Sequence, residues 1–344
     1  MNILISCIGK RGYLADYFRQ YLAPSDRILG TSNTPWTPGF TSCDLGIILP
    51  DIASDRYVDT LLAVCAENQV TALLSLFDPE IDVLSNRLDD FSKAGVVPLL
   101  CSPQVSKMCF DKQRTCLFLN EHGFHTPATF ASLDAASRAL DDGTVTFPLI
   151  VKPRYGYGSC NVFRVRNMSE LQSLFHYAPD MLVQELVCGV DHALDILVDL
   201  AGEVLSVVPK RKIRVQGGET YQAETTDQPE LMDVGLRLGR CLGSLGHVGP
   251  ADLDVFLDDH RPVVLEINPR FGGIYPAAHL AGADFPRLIL QMIRGETISP
   301  CLGQFRTGVR MMKAYCIVDP AAIDANTRIV DKRLGPEPPS SALP

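Results

Sequence analysis

Two apolar segments joined by a polar turn, between residues 246 and 273, constrain the fold more than any other part of the sequence. Residues 246–257 and 262–273 both contain runs of Val, Leu, Ile and Phe interrupted by polar residues. The turn between them reads Asp258-Asp259-His260-Arg261. Strand-like apolar runs on both sides of a short polar turn predict a β-hairpin.

The polar residues of this hairpin are predicted to share one face. Asp252 and Asp254 are two residues apart on the first arm, as are Glu266 and Asn268 on the second, and this spacing places side chains on the same side of a strand. If the arms pair in register, four oxygen-bearing side chains converge, and hard oxygen ligands suit Mg²⁺. Arg270, at the next same-face position, would set a cation beside a metal-bound phosphate. The alternative interpretation is a solvated strand face.

Composition restricts the classes of function. The chain has 344 residues, of which 46% are hydrophobic and 21% are charged, as in soluble globular proteins of two or three domains. Its formal net charge is -9, whereas nucleic-acid-binding proteins usually carry an excess of basic residues. We therefore expect no nucleic-acid partner.

Cysteine usage and the first residues bear on the compartment. The 11 cysteines include no Cys-x-x-Cys pair, which disfavours a disulfide framework and favours a reducing, cytoplasmic location. The apolar run at residues 1–9 is too short for a membrane span, and Lys10 follows it rather than precedes it. We therefore expect neither a targeting segment nor a membrane partner.

Residues 1–100 alternate between strand and helix patterns, which predicts a Rossmann-like α/β domain with a parallel sheet. The loop Gly9-Lys10-Arg11-Gly12 lacks the three-glycine spacing of dinucleotide-binding proteins, which argues against an NAD-dependent oxidoreductase. The loop is either a structural turn or, with Arg11, an anion site for a substrate carboxylate at a helix start. Asp78 and Glu80 follow the strand predicted at residues 73–76. They either bind the amine of a substrate at a strand end or begin a helix.

A phosphate site is predicted from a strand that ends in lysine. Residues 147–152 read as a buried strand that ends at Lys152, and the loop after it contains Gly156, Gly158 and Ser159. Lysine supplies a point charge, and glycines let backbone N–H groups approach phosphate oxygens. Lys112, on a predicted helix after Ser102-Pro103, is a second candidate. The alternatives are an exposed helix charge and an ordinary hairpin turn.

Two further segments are candidates for nucleotide or substrate binding. An apolar strand containing Glu185, Leu186 and Val187 precedes a glycine turn and Asp191, so it could present its backbone to adenine and Asp191 to ribose. The alternative for Asp191 is a surface turn.

The second segment is basic, since four of the five residues 210–214 are Lys or Arg. If it is extended, Lys210, Lys212 and Arg214 share one face of a cleft for the γ-phosphate or an anionic substrate. The alternative is a solvated basic patch. Beyond it, helices are predicted at residues 229–245, 276–282 and 285–294, with a closing strand at 309–318.

Four motifs occur in an order that resembles the ATP-grasp superfamily. They are Lys112, Val151-Lys152-Pro153 with its glycine loop, Gln184-Glu185-Leu186-Val187 with Asp191, and Glu266-Ile267-Asn268-Pro269-Arg270. The resemblance covers residues 1–300 and is closest to a single-module protein similar to one half of the carbamoyl phosphate synthetase large subunit.

The resemblance implies an α/β and α+β architecture. It implies a preATP-grasp Rossmann-like domain at residues 1–100 and a two-lobed ATP-grasp fold, with a small lobe and glycine loop at 101–180 and a large lobe with the metal site at 181–330. Residues 331–344, rich in Pro and Ser, are expected to form a disordered tail.

The resemblance also implies roles for the site residues. ATP phosphates would contact Lys112, Lys152 and the glycine loop; adenine would contact Glu185, Leu186 and Val187; and Asp191 would bind ribose. Asp254, Glu266 and Asn268 would hold one or two Mg²⁺ ions, while Arg270 would be catalytic. The pattern of the basic segment, independently of the resemblance, adds Lys210 as a nucleotide contact and Lys212 as a catalytic residue. Two residues depart from the family pattern: Asp254 stands where related synthetases carry Gln or Asn, which could favour Mn²⁺, and Asp191 stands where Glu is usual.

The expected activity is an ATP-dependent carboxylate-amine ligase that acts on small molecules, with an amino acid among its substrates, through an acylphosphate. No second module is present in the sequence, which argues against a complete carbamoyl phosphate synthetase. A bicarbonate or carbamate kinase and a non-catalytic nucleotide sensor are the alternatives, and a homodimer is left open.

Overall fold

The computed structural model describes residues 1–156, 158, 160–324 and 327–329. The predicted disordered tail at residues 331–344 lies outside this part of the chain, as does Ser159. The chain forms two compact units: the first contains residues 1–100, 286–297 and the described residues from 315 onward, and the second contains residues 101–285 and 298–314. Across the described residues, no helix combines the length and apolar character that crossing a membrane requires.

The elements have the following bounds. The strands are β1 (Asn2–Ser6), β2 (Arg27–Ser32), β3 (Leu45–Ile48), β4 (Val70–Ser75), β5 (Val97–Pro98), β6 (Thr129–Phe130), β7 (Leu149–Pro153), β8 (Phe163–Val165), β9 (Met181–Glu185), β10 (Val190–Val198), β11 (Val204–Gln216), β12 (Glu219–Thr225), β13 (Gly249–Asp258), β14 (Arg261–Asn268), β15 (Arg310–Met312) and β16 (Thr327–Ile329). The helices are α1 (Gly12–Arg19), α2 (Tyr57–Glu67), α3 (Asp78–Ser85), α4 (Leu88–Lys93), α5 (Pro103–Phe110), α6 (Lys112–Glu121), α7 (Leu133–Asp141), α8 (Met168–Phe175), α9 (Pro229–Ser244), α10 (Tyr275–Leu280), α11 (Phe285–Ile293) and α12 (Ala321–Asp324), with a 3-10 turn at Pro38–Ser42.

The first unit contains a parallel sheet with the strand order β16-β3-β2-β1-β4-β5. Successive residues of β1 and β4 point to opposite faces, yet nearly all of them are buried, because apolar layers cover both faces of such a sheet. The strand and helix alternation predicted for residues 1–100 is confirmed.

The second unit contains two antiparallel sheets. The small sheet has the order β6-β9-β7-β8, and α7 and α8 pack on it through a buried apolar cluster that includes Ala136, Val151 and Leu171. The large sheet has the order β14-β13-β10-β11-β12-β15. The predicted hairpin forms two strands of the large sheet, and the combination of a parallel α/β domain with two antiparallel sheets confirms the predicted fold class.

Glycines let α9 approach one face of the large sheet closely. A Cβ atom on Gly235 would lie 2.4 Å from Cγ1 of Val207, and one on Gly239 would lie 2.8 Å from Cγ2 of Val204. Any larger side chain at these positions would displace the helix from β11. Because α9 covers this face of the large sheet with apolar side chains, the opposite face is the one on which polar side chains can cluster.

We expect Gly235→Ala to lower the free energy of unfolding by about 1–3 kcal/mol, because overpacking outweighs the helix propensity of alanine. Urea unfolding measures the change. Arg240→Ala, at an exposed position of the same helix, is the matched control and should change stability by less than about 0.5 kcal/mol. A stabilised Gly235→Ala variant would show that the contact of α9 with β11 is looser than described.

The basic segment and the predicted closing strand differ in how much of each is extended. The basic segment is extended, because it lies within β11, which runs without interruption to Gln216 and pairs with β12 along its second half. The closing strand predicted at residues 309–318 is limited to Arg310–Met312, where it pairs with β12. The longer β11 matters for function, since it carries the basic residues into the large sheet.

Candidate active site

One face of the large sheet carries charged side chains on neighbouring strands. β13 and β14 pair so that Asp252 lies opposite Asn268 and Asp254 lies opposite Glu266, so the condition stated for the hairpin, a register that places these residues on one face, is met. On the other side of β13, Ala193 of β10 lies opposite Asp254. Because alanine is small, longer side chains of β11 and β13 can meet above it.

Lys212 bridges two carboxylates at the partly exposed end of this face. Its Nζ lies 2.5 Å from Oδ1 of Asp254 and 3.0 Å from Oδ1 of Asp191. Burial by itself would lower the pKa of Lys212, but these two carboxylates outweigh burial and raise that pKa above its ordinary value. Burial raises the pKa of Asp191, although Lys212 opposes this. Lys212 is therefore a charged ammonium group at neutral pH.

The remaining predicted metal ligands also contact cations. Nζ of Lys152, which is only 5% exposed, lies 3.3 Å from Oε1 of Glu266. Nη2 of Arg270 donates a hydrogen bond of 3.3 Å to Oδ1 of Asn268. Lys152 comes from the small sheet and Glu266 from the large sheet, so this ion pair connects the two sheets.

The chemistry of these oxygens fits a hard divalent cation. Two carboxylates and one amide oxygen, from Asp254, Glu266 and Asn268, face the same region. Among the described residues no group of three His, Cys, Asp or Glu side chains is arranged to hold a metal, so this part of the chain offers no all-carboxylate or thiolate cage. A partial oxygen set suits Mg²⁺, which completes its coordination with water and substrate phosphates.

Lys210 lies at the deep end of the same face and is wholly buried. Its Nζ lies 2.5 Å from Oδ2 of Asp195 and 3.7 Å from Oδ1 of Asp252. The prediction that Lys210 contacts the nucleotide is therefore wrong, because its side chain has no exposed surface. Its ion pairs instead neutralise buried carboxylates beside the predicted metal ligands.

The deep group also contains a carboxylate that sequence reasoning missed. Burial raises the pKa of Asp195 and of Asp252, and the charge of Lys210 opposes this for both. Gly272 covers the pair so closely that a Cβ there would lie 2.5 Å from Oδ1 of Asp252. The available signal was a single carboxylate inside the apolar run of β10, which indicates a buried partner.

The glycine loop begins beside Lys112. Nζ of Lys112 donates a hydrogen bond of 2.7 Å to the carbonyl oxygen of Gly156. Gly156 and Gly158 have positive φ angles of 146° and 67°, and residues other than glycine rarely adopt these. Lys112 therefore lies next to the loop that follows Lys152, although it precedes Lys152 by 40 residues in sequence. The predicted phosphate site requires this proximity.

The predicted adenine segment follows the end of β9. Glu185 donates its backbone N–H to the carbonyl oxygen of Ala128 at 2.9 Å, and its side chain accepts from the N–H of Ala128 at 3.2 Å. These bonds fix the strand end, and Leu186 and Val187 follow it outside regular secondary structure. The backbone of these residues stays a predicted adenine contact.

Glu80 in the first unit does not have its predicted role. It is fully buried and accepts hydrogen bonds from the hydroxyls of Ser6, Tyr57 and Ser75. These contacts tie together the ends of β1 and β4 and the start of α2. The prediction that Glu80 binds a substrate amine is wrong, because its oxygens are enclosed by these hydroxyl groups.

The other predicted substrate residues have distinct settings. Asp78 is the first residue of α3, so the helix-start interpretation of Asp78-Pro79-Glu80 is confirmed. Arg11 immediately precedes α1 and is partly exposed. Arg214 is exposed, and a bulge in β11 pairs it with Gln222. Since Gln222 points away from the face of Lys212, the predicted shared face is wrong for Arg214.

Comparison with known proteins is consistent with this geometry. Residues 3–99 match the PylC-like N-terminal domain, and residues 109–274 match the ATP-grasp domain. The carbamoyl phosphate synthase arginine-specific large chain of Geobacillus stearothermophilus is 22% identical over 290 residues, which is 81% of this chain. The present chain spans only 28% of the length of that relative.

Two other proteins are also similar. The D-alanine--D-alanine ligase of Marinomonas sp. is 27% identical over 226 residues, covering 59% of this chain and 69% of the ligase. A crystal structure of the biotin carboxylase domain of 2-oxoglutarate carboxylase from Hydrogenobacter thermophilus, in complex with MgADP, ADP and bicarbonate, has a TM-score of 0.73 at 13% identity, covering 90% of this chain and 73% of that one.

The two matched domains together span most of the chain, in the order that the sequence motifs predicted. The motifs around Lys112, Lys152 and Glu266 all fall within the ATP-grasp match. The chain therefore belongs to the ATP-grasp superfamily, with a PylC-like N-terminal domain followed by an ATP-grasp domain.

Proposed function

We propose that this protein is an ATP-dependent ligase that joins a small-molecule carboxylate to an amine. The observation that carries the proposal is the strand register that sets Asp254 opposite Glu266, with Lys212 and Lys152 against these two carboxylates. Alternating cations and hard oxygens suit a metal-bound triphosphate, whose charges they can neutralise on both sides. The likeness to a D-alanine--D-alanine ligase supports the same reaction class.

Different residues of the second unit would bind the phosphates, the adenine and the metal ion. Lys112, Lys152 and the backbone at Gly156 and Gly158 would bind the phosphates, and the segment at residues 185–187 would bind adenine. Asp254, Glu266 and Asn268 would hold Mg²⁺ or Mn²⁺. When bound, this ion would neutralise phosphate charge and orient the γ-phosphate. Arg270, which already contacts Asn268, would stabilise the charge that develops on the transferred phosphoryl group.

The chemistry requires no covalent enzyme residue. A carboxylate oxygen of the substrate attacks the γ-phosphorus of ATP, the bond to ADP breaks, and an acylphosphate forms. The neutral amine of the second substrate then attacks the acyl carbon, the bond from that carbon to the phosphate oxygen breaks, the nitrogen gives up a proton to the departing phosphate, and an amide results. The protein has to hold two anions together and exclude water from the acylphosphate, and this is where Lys212 and the glycine loop would contribute.

A product assay tests the proposal. Purified protein is incubated with ATP and Mg²⁺ against pooled amino acids and small carboxylates, and separately against bicarbonate with ammonia, while ADP and phosphate are measured. Phosphate release that requires two organic partners supports the ligase. Release with bicarbonate alone would assign a carbamoyl phosphate synthetase-like kinase, and ATP binding without turnover in any pool would assign a nucleotide sensor.

Lys212 gives a prediction about substrate binding. We expect Lys212→Ala to raise the KM of the carboxylate substrate by about tenfold, because one charge-assisted contact is lost. Steady-state kinetics with each substrate varied in turn measures this. Arg211→Ala is the matched control, since Arg211 is exposed and pairs with Glu224 on the other face. A rise in the KM of ATP alone would assign Lys212 to the nucleotide instead.

The thiols support a proposal about the cellular compartment. The cysteines at 11 positions are free rather than paired in disulfides, and a chain so rich in unpaired thiols suits a reducing compartment. We therefore place the protein in the cytoplasm, where ATP is also available to it.

A further inference from the structure

An ion pair between Asp111 and Arg154 lies next to both lysines that the proposed function assigns to the ATP phosphates. Asp111 immediately precedes Lys112, and Arg154 is two residues beyond Lys152. Nε of Arg154 donates to Oδ1 of Asp111 at 2.8 Å, and Nη2 donates to Oδ2 at 2.6 Å. This is a bidentate contact, in which the planar guanidinium matches both carboxylate oxygens and fixes their relative orientation.

The carboxylate of this ion pair is buried, whereas the Arg154 side chain is 27% exposed. Asp111 is 2% exposed, and burial by itself would raise its pKa, but Arg154 together with the backbone N–H groups of Arg114 and Gln113 outweighs burial and lowers that pKa below its ordinary value. Asp111 also accepts from the backbone N–H groups of Gln113 and Arg114, at 3.1 and 3.3 Å, and so caps α6. The guanidinium of Arg114 lies 3.4 Å from Oδ2 of Asp111 on the exposed side.

Backbone contacts extend the same connection to the glycine loop. The N–H of Lys112 donates to the carbonyl oxygen of Arg154 at 3.2 Å, and Asp111 and Tyr155 form an antiparallel bridge. The hydroxyl of Tyr155 donates to Oδ2 of Asp111 at 3.4 Å. The start of α6 is thereby tied to the chain that leads from Lys152 to Gly156, where Nζ of Lys112 is bound.

We infer that Asp111 and Arg154 are positioning residues that hold the Lys112 ammonium in place for ATP phosphate binding. This inference rests on the proposed function. Neither residue is required to touch the nucleotide. Lysine has a long flexible side chain, so restricting its backbone and its Nζ contact before ATP binds lowers the entropy lost on binding. Without the ion pair, the start of α6 keeps its cap, but only the backbone contacts with Arg154 and Tyr155 and the Tyr155 hydroxyl hold it to the chain that leads into the glycine loop.

A double-mutant cycle on nucleotide binding tests the inference. The variants are Arg154→Met, Lys112→Met and both together, and the ligand is AMP-PNP with Mg²⁺, measured by titration calorimetry. We expect Arg154→Met to raise the Kd about tenfold in the wild-type background and less than about twofold in the Lys112→Met background, because the two residues act through one contact. Arg154→Lys keeps the positive charge but loses the two parallel N–H donors of the guanidinium, so its Kd should lie between those of wild type and Arg154→Met.

Controls separate positioning from stability. Arg154→Met keeps Asp111 as the cap of α6 and leaves Arg114 near it, so we expect a cooperative melt. If that variant does not fold, Asp111→Asn replaces it, since asparagine also caps helices but cannot form the bidentate ion pair. Arg164→Met, at an exposed position of β8, is the matched control and should leave the Kd unchanged.

The outcomes distinguish this inference from the proposed function. An equal rise in Kd in both backgrounds, or no rise in either, would show that the ion pair only braces the fold, and the positioning role would be overturned while ATP binding stands. A wild-type protein that does not bind AMP-PNP would overturn the proposed function and this inference with it. A cycle with the expected non-additivity supports both.

Discussion

Replacing Glu266 with Gln is expected to reduce kcat by roughly 10²–10³-fold while the fold stays intact. The substitution removes one of the two carboxylates that face the predicted metal region but keeps an oxygen that can accept from Lys152, whose Nζ lies 3.3 Å away. The loss should therefore appear in turnover and metal binding rather than in the packing of β14. Kinetics of ADP release and the affinity for Mn²⁺ by electron paramagnetic resonance, with AMP-PNP present, measure the two effects.

The control for this variant is Glu203→Gln, at an exposed turn between β10 and β11, which should behave as wild type. Thermal melts of both variants check that stability is unaffected. Normal turnover in Glu266→Gln, with a normal melt, would remove the β13 and β14 hairpin from the mechanism. Lost turnover with unchanged Mn²⁺ affinity would keep the hairpin in the mechanism but assign Glu266 a role other than metal binding.

Replacing Lys210 with Met is expected to lower the free energy of unfolding by about 3–5 kcal/mol, because it leaves two buried carboxylates without their cation. Asp195 and Asp252 both contact Nζ of Lys210, and none of the three has appreciable exposure. Urea unfolding near neutral pH measures the loss. Arg211→Met, at the next residue but exposed, should change stability by less than about 0.5 kcal/mol.

The pH dependence of this variant has a definite sign. Burial already raises the pKa of Asp195 and Asp252 in the wild type, and loss of Lys210 would raise both pKa values further. A carboxyl whose pKa is higher in the folded than in the unfolded state favours folding at low pH, and this advantage is lost as pH rises through the folded pKa. The Lys210→Met variant should therefore be less destabilised at about pH 5 than at about pH 8.

A second substitution tests the same mechanism. Adding Asp195→Asn to Lys210→Met removes one of the unpaired charges, so the double variant should regain part of the lost stability near neutral pH. If the double variant is instead less stable than Lys210→Met, the cost would lie in packing around the methionine, and the charge argument would be incorrect.

The sequence by itself determined which polar side chains of the site share a strand face. Side chains alternate in a strand, so Asp252 and Asp254, and Glu266 and Asn268, had to share faces once two short strands flanked a polar turn, and the observed register agrees. The run that ends in Lys152 had to be a strand, and the alternation over residues 1–100 had to give a parallel sheet, for equally local reasons.

Only the tertiary structure decided depth and long-range partners. Lys210 and Lys212 look alike in sequence, but Lys210 is wholly buried against carboxylates that Gly272 covers, whereas the side chain of Lys212 stays 13% exposed. The bulge that turns Arg214 away depends on the register of β12, and the enclosure of Glu80 depends on hydroxyls from three other elements. Asp111 meets Arg154 because two separate segments fold together. Burial and such contacts depend on residues far apart along the chain, whereas alternation and turn chemistry depend only on neighbours, and for that reason only the latter could be predicted from the sequence.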